Sequence, residues 1–396
     1  MTGTDADEHV LEFAANPLPG SLLHSTLAEL RSQHGDVAPV RFYGMPAFVI
    51  LGWDALRGFF AANDEFPGGE VYKYQLERTV GRTFISMDGP DHDVYRRLVT
   101  PAFRSRAAIR FVDQELTPLA EELLDGIVGL GEADLIEDFT NRLPFWAISR
   151  KLGLPRGFED RQREWASAIL SEPSDPIGAR RAADELSEVI APVVRARRID
   201  PGADVISQLV TGEFQGTRLT DDEVHSHVRL LFAVGATTTA DALSNLLWTL
   251  VHRPDLLRRI EWEPELRPAV VRELLRWEPP VPLLPRMALH EGTIAGVHIP
   301  ASSMILAGIA SANRDPSRFD RPDEFDVDRP DADVLTFGFG PKFCPGTHMA
   351  KQQLLAALDV VLDRLPGLTL AEDDGGAQPS GCNLRSVSSL RCRWSV

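Results

Sequence analysis

Apolar residues recur at intervals of three and four along most of the chain, which is the spacing of one face of an α-helix. In the last strong run, Ala350, Leu354, Ala357, Val361 and Leu365 fall on one face. Proline-marked polar stretches separate such runs, as at "SEPSDP" (171–176). The pattern predicts helices over Trp53–Ala62, Asp93–Phe103, Ala108–Leu130, Asp138–Leu152, Phe158–Leu170, Ile177–Arg198, Leu256–Trp262, Pro268–Trp277 and Pro345–Leu365.

The longest helix is predicted between Thr220 and about His252. Thr220 with Glu223 three residues later forms a capping-box signature, and Arg253-Pro254 ends the pattern. The stretch "VGATTTAD" (234–241) lies inside this helix although glycine and β-branched threonine are poor helix formers. A mid-helix glycine costs about 1 kcal/mol relative to alanine, and threonines add several tenths each. This cost indicates that the stretch has a function.

Strand signals are few and short. Val40–Phe42 and Ala47–Leu51 flank "YGMP" and predict a hairpin, and β-branched segments predict short strands between Arg286 and Leu306. Further strands are predicted near Leu384–Val387 and Leu390–Trp394. The fold class is therefore mainly α with a small β region (α+β). No long linker or repeat divides the chain, so we predict a single domain over residues 1–396.

Composition narrows the class of protein. The 396 residues are 43% hydrophobic and carry a formal charge of -17, which argues against nucleic acid or an anionic membrane as a partner. Three cysteines, Cys344, Cys382 and Cys392, are too few for a disulfide framework. Residues 1–10 lack the apolar core of a signal peptide, and the apolar run Leu230–Val251 is interrupted by polar residues. We expect a cytoplasmic monomer.

The stretch "FGFGPKFCPG" (337–346) is the most informative. Gly338 and Gly340 permit backbone conformations closed to other residues, and Cys344 is predicted at the start of the final helix, with Pro345 in its first turn. Converging N–H groups and the helix dipole there favour a thiolate. A thiolate in such a loop is a nucleophile or a metal ligand, whereas a cysteine taken alone is more often buried and inert.

Phe337, Gly340, Cys344 and Gly346 resemble the haem-binding loop of the cytochrome P-450 family, Phe-x-x-Gly-x-x-x-Cys-x-Gly. Three further stretches resemble this family in the right order, and the resemblance runs from about Ala38 to the C-terminus. They are "GPDHDVYRRLVTPAF" (89–103), Glu273-x-x-Arg276 and "ANRDPSRFDRPDEFDVDR" (312–329). The resemblance implies the cytochrome P-450 fold, with the long central helix across the haem.

The resemblance also implies haem b (iron protoporphyrin IX), with Cys344 as the thiolate ligand that favours O–O cleavage in this family. His92, Arg96, Arg286 and Lys342 would contact the two propionates. His92 and Arg96 are four residues apart, so a simple surface pair is the alternative.

Glu273 and Arg276 resemble the family's structural pair, which would support the haem loop. The third member of their network would be Arg321 or Arg329.

In the long helix, Gly235 matches the family's glycine and would let the helix approach the haem. Thr238 matches its oxygen-activating threonine. Thr237 stands where the family has an acid, so Thr237, waters and Asp241 would share the proton relay. The alternative is that the hydroxyls only bond back to helix carbonyls.

The substrate implied is a hydrophobic small molecule, next to the loop at 66–86, Phe232 and Val234, Val281–Leu284 and Ser386–Val387. Dioxygen would be the co-substrate, with electrons from NAD(P)H delivered by a ferredoxin and its reductase. A basic patch of Arg96, Arg97, Arg104, Arg106 and Arg110, with Lys342 and Lys351, would attract the ferredoxin despite the acidic net charge. A peroxide-driven enzyme, a non-catalytic haem sensor and a cysteine-nucleophile enzyme are the alternatives.

Overall fold

The computed structural model describes residues 11–14, 16–373 and 375–396, so residues 1–10, with their predicted lack of a signal peptide, lie outside it. The helices are α1 Leu22–His34, α2 Trp53–Ala61, α3 Glu70–Gln75, α4 Glu77–Val80, α5 Gly89–Val99, α6 Ser105–Phe111, α7 Thr117–Asp125, α8 Leu143–Leu152, α9 Glu159–Leu170, α10 Pro176–Ile199, α11 Val205–Thr211, α12 Asp221–Val251, α13 Pro254–Trp262, α14 Arg267–Trp277, α15 Ile309–Ala312 and α16 Thr347–Arg364. The strands are β1 Val37–Phe42, β2 Met45–Ile50, β3 Glu132–Asp134, β4 Leu284–Met287, β5 Gly292–Ile294, β6 Val297–Ile299, β7 Met304–Ala307, β8 Thr369–Leu370 and β9 Arg391–Arg393. The predicted class, mainly α with a small β region, is confirmed.

The chain divides into two compact units. The first contains the described parts of Met1–Glu70, Arg272–Cys344 and Gln378–Val387. Its four-stranded sheet has the order β1-β2-β7-β4, in which only β2 and β7 run parallel. The predicted hairpin is β1–β2, with Phe42 paired to Met45 across a two-residue turn. Tyr43 and Gly44 both have positive φ, which suits a tight hairpin turn.

The second unit contains Val71–Val271, the described part of Pro345–Ala377, and Ser388–Val396. Its apolar core is helical, and α12 packs against α8, α9 and α10 within it. A small sheet of order β3-β9-β8 completes the unit. Whether the two units form the single domain predicted from the sequence stays a prediction.

Helix α12 matches its predicted limits because its first turn is capped as expected. Thr220 Oγ1 accepts from the Glu223 amide at 3.3 Å, and a Glu223 carboxylate oxygen accepts from the Thr220 amide at 2.9 Å. Among the described residues this is the one helix long and apolar enough to cross a membrane, but 78% of its apolar window is buried inside the protein. Such burial is usual for a core helix.

Two long predicted helices are interrupted. Over Ala108–Leu130 the structure has α6, a π-helical turn at Val112–Leu116, α7 and a 3₁₀ turn. Over Asp138–Leu152 a π-helical turn precedes α8. Proline lies in the first turn of both α7 and α8. Since proline lacks an N–H donor and clashes with the preceding turn, a helix starts there more readily than it continues.

Other predicted limits were wrong. Leu384–Val387 is not a strand, although Ser386 forms an isolated bridge with Ser380. The predicted loop at 66–86 contains α3, α4 and a 3₁₀ turn at Phe84–Ser86, and helices α1 and α11 were not predicted. The final helix begins at Thr347 with Gly346 as its N-cap, so Pro345 precedes the helix instead of lying in its first turn.

Candidate active site

The cysteine loop in the first unit is shaped by glycine. Gly338 and Gly340 both have φ of 72°, a conformation that favours glycine. A Cβ atom on Gly340 would lie 2.8 Å from the Phe60 carbonyl oxygen of α2, so a side chain would not fit. The Cys344 amide donates to the Phe337 carbonyl at 2.9 Å, which closes the loop and leaves the thiol half-buried. The loop therefore presents one sulfur from a fixed backbone.

Two predicted cations also belong to the first unit. Arg286 lies on β4, is buried, and donates from Nη1 to the Pro285 carbonyl at 3.0 Å. Lys342 is half-buried at the end of the 3₁₀ turn before Cys344. A Cβ atom on Gly68 would lie 3.0 Å from the Lys342 Cγ, so the lysine stem packs against that glycine.

The Glu273–Arg276 pair forms the predicted buried network. Arg276 donates to both Glu273 carboxylate oxygens, at 2.8 and 2.7 Å. The third member is Arg329, whose Nε donates to Glu273 Oε1 at 3.3 Å. Arg321 instead pairs with Glu324 and Asp326 at the surface. The network is thus structural and joins α14 to the segment that precedes the cysteine loop.

In the second unit, α5 carries His92 and Arg96. His92 is 2% exposed and Arg96 is half-buried, so the alternative of a simple surface pair is wrong for His92. The His92 Nδ1 lies 3.4 Å from the exposed Asp93 carboxylate. Gly89 at the start of α5 has positive φ, and Pro90 follows it in the first turn, which fixes where the helix begins.

The threonines of α12 all bond back to their own helix. Thr237, Thr238 and Thr239 donate to the carbonyls of the residues four earlier, at 2.9, 3.1 and 3.2 Å. This is the local hydrogen bonding that the alternative interpretation requires. Each hydroxyl oxygen still has lone pairs available to accept a hydrogen bond.

Exposure separates the residues of this stretch. Val234, Gly235, Thr238 and Asp241 are partly exposed and lie on one strip of the helix, whereas Thr237 and Thr239 are buried. The position of a Cβ on Gly235 lies 3.3 Å from Ile148 Cδ1 of α8. Close packing of α12 on α8 is therefore one reason for glycine here, and its predicted role next to a haem stays a prediction.

The structure places the predicted residues in two groups. Phe337, Gly340, Lys342, Cys344 and Arg286 belong to the first unit. The second unit holds His92, Arg96, Gly235, Thr237, Thr238, Asp241 and Gly346. Within the described residues no three His, Cys, Asp or Glu side chains gather as a metal-ion site.

The sequence interpretation missed His227, which is fully buried one turn into α12 and hydrogen bonded at both ring nitrogens. A lone histidine in an apolar helix carries no pattern that separates this role from ordinary packing. Only its three-dimensional neighbours identify it.

Comparison with known proteins decides the family. Residues 178–374 match the family model described as cytochrome P-450. The chain is 33% identical over 408 aligned residues to mycinamicin IV hydroxylase/epoxidase of Micromonospora griseorubida, covering 99% of this chain and 100% of the relative. The chain belongs to the cytochrome P-450 family. It is also 30% identical to the cytochrome P-450 monooxygenase PikC of Streptomyces venezuelae, over 99% of this chain and 96% of that protein.

The solved structures agree with the cytochrome P-450 fold. The mixed-function enzyme MycG in complex with mycinamicin IV matches with a TM-score of 0.86 and 31% identity, covering 98% of this chain and 100% of that chain. The protein is therefore a cytochrome P-450 monooxygenase, as predicted from the sequence. Membership of the family implies a haem cofactor and dioxygen as the co-substrate.

The residues present fit such a cofactor. A half-buried thiol on a closed loop is a soft donor suited to iron. His92 and Arg286 are basic side chains withdrawn from solvent, and burial of such groups is favourable where an anion accompanies them. The propionates of haem provide anions of that kind.

Proposed function

We propose that this cytochrome P-450 is a haem-thiolate monooxygenase in which Cys344 ligates haem b and one atom of dioxygen enters a hydrophobic small molecule. The half-buried Cys344 in a loop built on two positive-φ glycines is the observation that carries the proposal. The reaction is a hydroxylation, an epoxidation or a dealkylation. We also propose that residues 1–396 act as one catalytic domain, as a cytoplasmic monomer.

The haem contacts follow from the chemistry of the side chains. Cys344 would supply the thiolate, while Arg286, Lys342, His92 and Arg96 would neutralise the propionates. The planar guanidinium groups of Arg286 and Arg96 suit bidentate contact with a carboxylate, and Lys342 would act as a point charge. Phe337 and Gly346, at the two ends of the cysteine loop, would set its position. When bound, the haem supplies the redox chemistry that activates dioxygen.

The chain's own part in proton delivery is assigned to Thr238. Its hydroxyl donates to the Val234 carbonyl, so its lone pairs remain to accept from a water molecule. Asp241 lies three residues later on the same partly exposed strip and provides a carboxylate that can hold or release a proton. Thr237 would relay a proton through its hydroxyl, although it cannot supply one at neutral pH.

Coupling measures these roles. Product formed per NAD(P)H consumed should fall in Thr238→Ala, while Thr239→Ala, a buried neighbour with the same back-bond, should remain coupled. Unchanged coupling in Thr238→Ala would remove its role. A large gain in turnover from Thr237→Glu would show that the native relay limits the rate.

The substrate class is supported by the names of the relatives. One is a hydroxylase and epoxidase of mycinamicin IV, and the MycG structure holds mycinamicin IV. Both names specify a discrete small molecule. A screen of hydrophobic compounds that follows the haem spin state should therefore find ligands for this protein. A protein that responds only to polar compounds would contradict the proposed class.

Electrons are proposed to come from a ferredoxin served by a reductase. Arg97, Arg104, Arg106 and Arg110 are exposed on and around α5 and α6, which provides local positive charge on an acidic protein. The rate of reduction by ferredoxin should fall as salt concentration rises, because screening weakens such attraction. Arg106→Ala/Arg110→Ala should lower the rate, and Arg156→Ala, exposed before α9, should not. Salt-independent reduction would refute the steering.

Absorption of the ferrous carbon monoxide complex tests the ligand. The wild-type protein and Cys382→Ser should show the red-shifted band of a thiolate haem, and Cys344→Ser should not. Retention of the band in Cys344→Ser would overturn the assignment. Turnover that requires peroxide in place of ferredoxin and NAD(P)H would favour the peroxide-driven alternative, and haem without turnover would favour a sensor.

A further inference from the structure

A buried histidine in α12 holds a neighbouring segment by its backbone. The Phe84 amide donates to the His227 Nε2 at 3.2 Å, while the His227 Nδ1 lies 2.7 Å from the Glu223 carbonyl oxygen. A carbonyl oxygen only accepts, so Nδ1 carries the proton and Nε2 offers its lone pair. The neutral ring with this tautomer is the form that satisfies both contacts. Burial lowers the pKa of His227 to about 4, which keeps the ring neutral at physiological pH.

The same turn of α12 contacts the segment at two further points. Arg229 donates from Nε to the Val80 carbonyl at 3.1 Å and from Nη1 to Ser187 Oγ of α10 at 2.8 Å. Ser226 lies so near Gly81 that a Cβ there would be 2.2 Å from its Oγ. Residues 80–86, here called the clamped segment, are thus bound through backbone atoms. Such contacts fix the path of the chain without using the side chain of Phe84.

Ring contacts extend this arrangement to α5. The His227 ring stacks between Phe84 and Tyr95, with centroids 6.0 and 5.9 Å away and interplanar angles of 15° and 13°. Phe84 also contacts the His92 ring, at 6.5 Å. The Tyr95 hydroxyl donates to Glu223, whose other carboxylate oxygen accepts from Thr220 in the capping box. His227 is therefore the one ring that contacts both the clamped segment and α5 among the ring contacts of the described residues.

We propose that His227 is a positioning residue, which fixes Phe84 and, through Phe84 and Tyr95, the ring of His92. The inference rests on the proposed function, in which His92 meets a haem propionate and the clamped segment borders the substrate. His227 itself touches neither group. Its role is to hold the residues that do, through one lone pair and two ring faces.

Amide hydrogen exchange of residues 80–86 in the purified haem-loaded protein tests the clamp. His227→Phe keeps a ring but has no acceptor, so exchange at Phe84 should accelerate by about tenfold or more, as expected for loss of a buried hydrogen bond. His227→Gln places an acceptor near the Nε2 position and should stay within about threefold of wild type, on the same scale. His225→Phe, on the same turn, is the control. Wild-type exchange in His227→Phe would overturn the clamp.

Transfer of haem to apomyoglobin tests the link to His92. His227→Asn, which reaches only the Nδ1 position, should release haem about threefold to tenfold faster than wild type, as expected for one weakened contact, and His227→Gln should restore retention. In a His92→Ala background the same change should have no further effect, because the two residues act through one contact. An additive effect would refute the link to His92.

The two arms separate the proposals. Exchange at residues 80–86 does not depend on which residue ligates the haem, so a failure of the Cys344 assignment would leave the clamp standing. Faster exchange with unchanged haem release in His227→Asn would overturn the positioning of His92.

Discussion

Replacement of Arg276 by lysine should destabilise the first unit strongly, although the charge is kept. The guanidinium uses all five N–H donors: two bonds reach Glu273, and single bonds reach the carbonyls of Asn313, Pro322 and Glu324 at 2.9, 2.7 and 2.8 Å. The side chain is 1% exposed. A lysine ammonium has three donors at one point, so at least two of these buried acceptors would lose their partner.

The cost follows from those lost bonds. An unsatisfied buried polar group costs about 1–3 kcal/mol, and a broken buried ion pair typically costs about 3–5 kcal/mol. We therefore expect Arg276→Lys to lower the free energy of unfolding by about 3–5 kcal/mol. The matched control is Arg321→Lys, whose exposed pairs with Glu324 and Asp326 are worth at most about 1 kcal/mol.

Urea unfolding of the two variants provides the measurement. Tryptophan fluorescence and circular dichroism should be followed together, because a single unfolding free energy requires that both report the same transition. A loss in Arg276→Lys no larger than that in Arg321→Lys would refute the reasoning. Such a result would mean that the carbonyls find other partners and that the number of donors does not set the stability.

Three further predictions concern the second unit. Since the pKa of His227 is lowered from 6.5 to about 4, the unfolded chain binds more protons between those values. Stability from this group is complete above pH 6.5 and should fall by about 2 kcal/mol at pH 5; urea midpoints of His227→Gln, with Glu223 and Tyr95 unchanged, should lack this part of the pH dependence. Gly81→Ala should cost about 2 kcal/mol more than Gly216→Ala, because both have positive φ but only Gly81 meets another side chain; thermal unfolding measures this, and Ser226→Ala should recover part of it. Thr220→Ala should cost about 1 kcal/mol by removing the cap of α12, and an unchanged urea midpoint would contradict that value.

Local signals were sufficient for much of the helical fold. The capping box at Thr220 and Glu223 fixes where α12 begins, and it forms with both expected bonds. The positive-φ glycines around Cys344 were likewise readable, since a glycine has few other reasons to recur at that spacing. The interrupted helices over 108–152 were not readable, because apolar periodicity is almost the same through a π-helical turn as through an α-helix.

The site was predictable where residues belong to one motif and not where they meet across the chain. Arg321 and Arg329 both precede the cysteine loop, and only the folded backbone shows that Arg329 reaches Glu273. Gly235 illustrates a second limit. The sequence motif predicts that it opens the helix to a haem, while the structure shows Ile148 against the same face. One glycine can satisfy both demands, and a single sequence does not rank them.

The clamp on residues 80–86 explains why such a feature escapes sequence reasoning. Its contacts are made to the Val80 carbonyl and the Phe84 amide, atoms that every residue except proline provides. The side chains of the segment are therefore released from any pattern that the clamp would impose. The only constrained positions are Gly81, where Ser226 excludes a Cβ, and His227, which alone supplies the acceptor. A device built in this way can hold a segment next to a substrate while the side chains facing that substrate are free to differ.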